Sequence, residues 1–183
     1  MQLNTTSDRL RRLDLGQQTA RINFDGVLKT SNADPRAAEH RAYLQVYRNG
    51  IIETVHSTLI SSSSGNPVIF NLDDLLIQET MRILRDLPAI GVELPYSLLV
   101  SLVGVEGAQF NYSRGQTFEW PDDFGDRLDR DQYQFDEVIF EVLPTIQTEC
   151  AAAIRPILNQ IANIGGKATS RSFDTQGRYI STR

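Results

Sequence analysis

Apolar and polar residues alternate from Ala20 to Leu28, where Ile22 and Phe24 are separated by Arg21, Asn23 and Asp25. This period of two predicts a half-buried strand, with Gly26 as a candidate bulge. The sharpest signal follows in RAYLQVYRNGIIETVHSTLI, residues 41–60, where Asn49-Gly50 separates two β-rich runs. Asn-Gly suits a two-residue type I′ turn, because both central residues must take positive φ. That turn sets Arg48 against Ile51, Val46 against Glu53, Leu44 against Val55 and Tyr43 against His56. Leu44, Val46, Ile51 and Val55 then form a core face, with Arg48 and Glu53 as a diagonal ion pair. Arg41, Tyr43, Gln45, Tyr47, Thr54 and His56 occupy the wet face.

Residues 61–67 read as a loop and Val68–Phe70 as a short extended piece. Asn71 is placed to cap a helix over 72–87, with Asp73 and Asp74 in the first turn and Leu72, Leu76, Ile83, Leu84 and Leu87 as its apolar stripe. Pro88 and Gly91 end it. Leu98 to Val105 is nearly continuous in apolar residues and predicts a buried central strand, which Gly104 and Gly107 turn into an antiparallel partner over 108–112. Residues 115–133 are polar and read as a surface loop. A last strand over 135–142 leads to Pro144, a first-turn residue for the final helix. Ile146, Cys150, Ala153, Ile154, Ile157, Leu158, Ile161 and Ile164 fall on one stripe. Pro156 kinks this helix at a cost of about 3 kcal/mol, and Gly165-Gly166 closes it.

The order of elements is βββαβββα. It predicts an α+β fold with a mostly antiparallel sheet of about six strands and two main amphipathic helices packed on one face. Residues 1–16 read as a linker-like lead, 17–166 as one α+β domain, and 167–183 as a polar tail with Phe173 and Tyr179 as candidate anchors.

Composition narrows the chemistry. The 183 residues are 40% hydrophobic and 22% charged, ordinary for a folded domain, and carry a formal charge of -5. That balance gives no broad electrostatic footprint for nucleic acid or an anionic membrane. No stretch reaches the ~18 consecutive apolar residues that a spanning helix needs, and the N-terminus lacks a signal-peptide core, so the expected address is the cytoplasm with no membrane partner. One cysteine and two histidines exclude an intramolecular disulfide and histidine- or thiolate-rich metal sites. No cofactor is expected.

Neither GxxxxGK[ST] nor GxGxxG occurs, and serines 61–64 lack a nucleophile-elbow context. Cys150 lies on an apolar stripe, where it acts as a small hydrophobe. The acidic stretch with Glu119, Asp122, Asp123, Asp126, Asp129 and Asp131 could hold a hard cation, but it fails the DxDxDG spacing and is interleaved with Arg127 and Arg130. Arg9, Arg11 and Arg12 are the one cluster of cations that could meet nucleic acid. The most promising group is Arg41, Tyr43, Tyr47 and His56, which combines aromatic surface with polar handles for a ligand or partner chain.

The strings QVYRNGIIETV (45–55), LVSLVGVEG (99–107), DEVIFEV (136–142), IRPILNQIANIGG (154–166) and FDTQGRY (173–179) together resemble the C-terminal region of bacterial Schlafen-type proteins. In that family an AlbA-like N-terminal domain is credited with ATP or DNA handling. No stretch of this chain resembles that domain, so no catalytic or nucleotide-binding residue carries over. The resemblance implies a non-catalytic accessory or regulatory module that binds a ligand or partner, or mediates oligomerisation, for a Schlafen-like effector. A protein partner or self-association is expected and a small-molecule ligand is open, whereas nucleic acid is not expected for this segment alone. The alternatives are a nucleic-acid-contacting domain using Arg9, Arg11 and Arg12, and a metal-dependent hydrolase using Asp129 and Asp131.

Overall fold

The structure is a computed structural model that describes residues 19–31, 41–57, 59–63, 66–112 and 124–180. Arg9, Arg11, Arg12, Glu119, Asp122 and Asp123 lie outside these residues. The α+β class holds: the described chain forms short strands in several sheets together with three α-helices. It divides into two compact units, Met1–Thr58 with Asp86–Val92, and Leu59–Arg85 with Glu93–Arg183.

The first unit holds one antiparallel sheet in the order β1 (Thr19–Ile22), β2 (Gly26–Thr30), β3 (Ala42–Tyr47) and β4 (Ile52–His56). The strand expected over 20–28 is instead a hairpin. Ile22 pairs with Val27; the Asn23 N–H donates to the Gly26 carbonyl at 2.9 Å, and the Gly26 N–H donates to Oδ1 of Asn23 at 2.7 Å. Phe24 and Asp25 are left as a two-residue turn. Gly26 is therefore not a bulge but a contact point: a Cβ there would stand 2.0 Å from the Val46 carbonyl oxygen. A short 3₁₀ turn, Pro88–Ile90, also belongs to this unit and ends at Gly91, whose φ is 79°.

The second unit is built on a long bent ribbon. One arm runs through β7 (Tyr96–Leu98), β8 (Ser101–Val103) and β9 (Gln109–Asn111), and the other returns through β10 (Phe124–Arg127), β11 (Gln132–Gln134) and β12 (Val138–Phe140). The pairs β7–β12, β8–β11 and β9–β10 are all antiparallel. Backbone bonds from Val105 to Asp131 and from Leu128 to Ala108 join them across the bends. Two expectations change here. Residues 108–112 do not pair back on 98–105, because both lie in the same arm; Gly107, with φ 76°, makes a turn inside that arm, closed by the Ala108 N–H on the Val105 carbonyl. Nor is 98–105 a buried central strand. Leu99 and Val103 are 65% and 63% exposed, since a two-stranded ribbon covers only one face of each arm.

β5 (Ile60–Ser63) and β6 (Asn66–Ile69) pair with each other where the composition predicts a loop, and β6 lies parallel to β9. Part of the surface loop expected over 115–133 is likewise strand, in β10 and β11. The sheet is thus not one six-stranded layer: four separate sheets are present among the described residues, one with a parallel pair.

The helices are α1 (Leu72–Asp86), α2 (Gln147–Ala153) and α3 (Arg155–Ile164). The final helix expected from Pro144 starts at Gln147. It breaks at Ile154, because Pro156 can sit only in the first turn of a new helix. Cys150, Ala151, Ile154, Ile157, Leu158 and Ile161 are all buried. The glycine pair ends α3 in a Schellman motif, with the Gly166 and Lys167 N–H groups returned to the carbonyls of Asn163 and Ala162. On α1 the buried residues are Leu72, Ile77, Thr80 and Leu84, a stripe rotated from the one expected.

Replacing Gly26 by Ala should cost about 3 kcal/mol, because either the Val46 carbonyl or the hairpin must move. Replacing Gly50, where nothing lies within 4 Å of the place a Cβ would take, should cost about 1 kcal/mol from backbone strain alone. Urea midpoints of the two variants test this order, and equal losses would contradict it.

Candidate functional site

The turn between β3 and β4 determines which candidate residues share a surface. Gly50 has φ 91°, and Asn49 is not among the residues with positive φ, so the type I′ turn is not formed. Instead Tyr47 N–H bonds to the Ile51 carbonyl at 2.8 Å and Gly50 N–H to the Tyr47 carbonyl at 3.2 Å. Arg48, Asn49 and Gly50 form a three-residue loop of the kind that ends on a glycine in left-handed conformation. The extra residue moves every pair by one: Tyr47 faces Ile51, Val46 faces Ile52, Gln45 faces Glu53, Leu44 faces Thr54, Tyr43 faces Val55 and Ala42 faces His56.

That shift splits the candidate set. Tyr43 and Tyr47 share one face, and Arg41 continues their alternation along the chain. His56 lies on the other face, beside Ala42, with Leu44 and Val46 further along it. Ile51 and Val55, expected in the core, join the tyrosines and are 57% and 38% exposed. The expected Arg48–Glu53 ion pair is replaced by two other contacts. Arg48 donates from its backbone N–H to the Asp25 carbonyl and from Nε to the Phe24 carbonyl, at 2.9 and 3.0 Å, and so ties the two hairpin ends together. Glu53 accepts the Tyr47 hydroxyl at 2.9 Å.

The face that results has Glu53 at its centre. Hydrogen bonding to Glu53 raises the Tyr47 phenol above its ordinary value, and burial, reinforced by the same carboxylate, raises Tyr43. Both phenols therefore stay protonated at neutral pH. Next to them Gln45 is buried and exchanges side-chain hydrogen bonds with Asn23, at 2.9 and 3.4 Å. Glu53, Gln45 and Asn23 are absent from the site set that the sequence suggests. Their signal is present in the hairpin pattern, but only the correct register brings it out.

A second polar cluster lies in the other unit. Ser170 and Ser172, both buried, donate their hydroxyls to Oδ2 of Asp73 at 2.5 and 3.1 Å. Ser170 N–H reaches Oδ1 of Asn159 on α3 at 3.0 Å. Asp73 lies one turn before Ile77 on α1, and burial raises its carboxyl while the two serines and Arg171 pull it down. Further along the chain, Asp174 accepts N–H groups of Gln176 and Arg178 through Oδ1 and the Arg178 guanidinium through Oδ2. Arg155 stacks its guanidinium 4.8 Å from the centre of the Phe173 ring. Residues 167–180 are thus folded against α1 and α3.

Cys150 is buried with its Sγ against the Ile77 carbonyl, and burial pushes its thiol up to about 11. Asp129 accepts the Tyr133 hydroxyl at 2.6 Å, which lowers its carboxyl, and it lies 3.9 Å from Arg130. Among the described residues no three His, Cys, Asp or Glu side chains are grouped to hold a metal ion. Among them, too, no helix is long and apolar enough to cross a membrane. No family model, curated protein or solved structure matches the chain.

Asp73 provides a test of the second cluster. Its raised carboxyl means that the folded protein holds this proton more tightly than the unfolded chain does. The group's contribution to stability should therefore fall as pH rises from its ordinary 3.8 through the raised value, and stay lower above it. Asp73→Asn should remove that slope while keeping an acceptor for the serines. Asp73→Ala, which strands two buried hydroxyls, should cost about 3 kcal/mol at neutral pH. Urea titrations of the three proteins across this range check both statements; a wild-type slope retained in Asp73→Asn would refute the assignment.

Proposed function

We propose that this chain is a non-catalytic binding module, cytoplasmic and bacterial, which regulates a Schlafen-like effector by holding a partner on the Tyr43–Tyr47 face of its first unit. The observation that carries this reading is the combination on one sheet face of two phenols and the carboxylate of Glu53, flanked by the exposed side chains of Ile51 and Val55. Aromatic rings supply contact area at low entropic cost, and a central carboxylate supplies orientation. Such a face recognises a surface with an apolar rim around a donor group.

The alternatives have less support. The hydrolase reading needs Asp129 as a metal ligand, but its carboxylate is bonded to Tyr133 and sits beside Arg130. The nucleic-acid reading rests on Arg9, Arg11 and Arg12, and nothing in the described residues adds to that cluster.

The partner expected is an AlbA-like effector domain, offered in trans. Calorimetry should detect a complex, and hydrogen exchange should slow in β3 and β4 when it forms. Replacing Tyr43 and Tyr47 together by Ala should weaken the complex about a hundredfold, as for paired aromatic anchors at an interface centre. Absence of heat and of protection with the wild-type chain would overturn the reading.

A further inference from the structure

Asn49 is the only asparagine of the chain that is followed by glycine. Glycine leaves its own backbone nitrogen open to close approach, because no Cβ shields it. Asn49 stands exposed in the loop between β3 and β4, and nothing lies within 4 Å of the place a Cβ on Gly50 would take. The Asn49 side chain is also held in place. Its Oδ1 accepts the Ile51 N–H at 3.1 Å, an Asx turn that folds the side-chain amide back over the Gly50 nitrogen. The same N–H draws electron density from the Asn49 side-chain carbonyl, as a donor to a developing oxyanion does. Gly50 N–H donates to the Tyr47 carbonyl at 3.2 Å, a longer bond than the 2.8 and 2.9 Å bonds that hold the Tyr47 and Arg48 amides. The Asp25-Gly26 pair lacks this arrangement: Gly26 N–H is held at 2.7 Å by Oδ1 of Asn23, and the Gly26 backbone packs against the Val46 carbonyl. Asn159 and Asn163 lie within α3, where larger residues follow them.

We infer that Asn49 is a self-modification site, at which the chain deamidates in water without an enzyme and thereby opens the β3–β4 loop. The Gly50 amide nitrogen gives its proton to a solvent base and bonds to Cγ of Asn49. Nδ2 takes up a proton from water and leaves as ammonia, and a cyclic imide remains. Water then opens the imide: breaking the new N–Cγ bond gives an aspartyl residue, whereas breaking the original bond between the Asn49 carbonyl carbon and the Gly50 nitrogen gives an isoaspartyl residue, whose main chain runs through Cβ and Cγ. The net change is uptake of water and loss of ammonia. Both products carry a new carboxylate at position 49. Only the isoaspartyl form adds a carbon to the main chain of the loop, and loop length is what fixes the register of β3 against β4. The added atom falls inside the ring that the Tyr47 N–H closes on the Ile51 carbonyl, so that bond is the one it opens.

This proposal concerns the loop, and it stands whether or not the tyrosine face binds an effector. The folded full chain is incubated at mildly alkaline pH and mapped by peptide mass spectrometry. The amide-to-acid mass change should appear at Asn49 at least about tenfold faster than at any other asparagine, because only there is the attacking nitrogen unshielded and close. Labelling by an isoaspartyl methyltransferase should place the isoaspartyl residue at position 49 and not at 25. Gly50→Ala should slow the conversion at least about tenfold, and Asn49→Gln should stay intact. Hydrogen exchange reads the loop itself: the Tyr47 amide should be protected in the fresh chain and in Asn49→Asp, which adds the charge alone, and should lose protection in the isoaspartyl fraction. An Asn49 that stays unconverted, faster conversion at another asparagine or at Asp25, a Gly50→Ala chain that converts as fast as wild type, or Tyr47 protection retained in the isoaspartyl fraction would each overturn the proposal. If Gly50→Ala fails to fold, the peptide map and the Tyr47 amide decide the question.

Discussion

Gly50 takes a backbone conformation that side-chain-bearing residues rarely adopt, and through it a third residue enters the loop joining β3 to β4. Because side chains alternate along a strand, that single residue exchanges the two faces of β4 relative to β3. Tyr47 comes opposite Ile51, Glu53 comes opposite Gln45, and His56 moves to the face that holds Leu44. The tyrosine–carboxylate surface exists only in this register. The loop is held in turn by a contact distant in sequence: Arg48 binds the carbonyls of Phe24 and Asp25 at the tip of the first hairpin. Gly26, which lets β2 approach the Val46 carbonyl, completes the arrangement. Two turns and one arginine thereby fix the geometry of four strands.

In the second unit α3 has the organising role, and it acts through side chains on several of its turns. Gln160 accepts the Asp136 N–H and donates to the Asp136 carboxylate, tying α3 to the ribbon between β11 and β12. At its end the Gly165 carbonyl accepts the Asp126 N–H, and a Cβ at that glycine would collide with the Tyr112 hydroxyl. Asn159 and Arg155 hold the residues that follow, through Ser170 and through the Phe173 ring. The buried stripe from Ile154 to Ile161 supplies the apolar burial, while these polar contacts choose one arrangement among those that burial alone would allow.

Legibility followed the range of the interactions. The stripe from Cys150 to Ile161, the glycine end of α3 and the existence of the β3–β4 hairpin are readable, because each depends on residues within a few turns or pairs of one another. The hairpin's register is not. Asn-Gly is compatible with a two-residue loop and with a three-residue loop ending in glycine, and the choice rests on Arg48 reaching Asp25. Leu98–Val105 misleads for a different reason. A continuous apolar run predicts burial on both faces, but this run is bent through two short strands and leaves Leu99 and Val103 outside. Ser170 and Ser172 look like part of a polar tail because their acceptor, Asp73, lies 97 and 99 residues away in the chain.

The electrostatics of the tyrosine face keep both phenols in their neutral form. A phenol that serves as a base or nucleophile needs its pKa lowered toward neutrality, by a neighbouring cation or by donors to its oxygen. Tyr43 and Tyr47 have the opposite environment. The hydrogen bond to Glu53 raises Tyr47 and burial, reinforced by the same carboxylate, raises Tyr43, so both remain neutral donors. Glu53 in turn accepts the Tyr47 hydroxyl on the sheet face. That hydrogen bond joins the two strands of the hairpin across the aromatic surface.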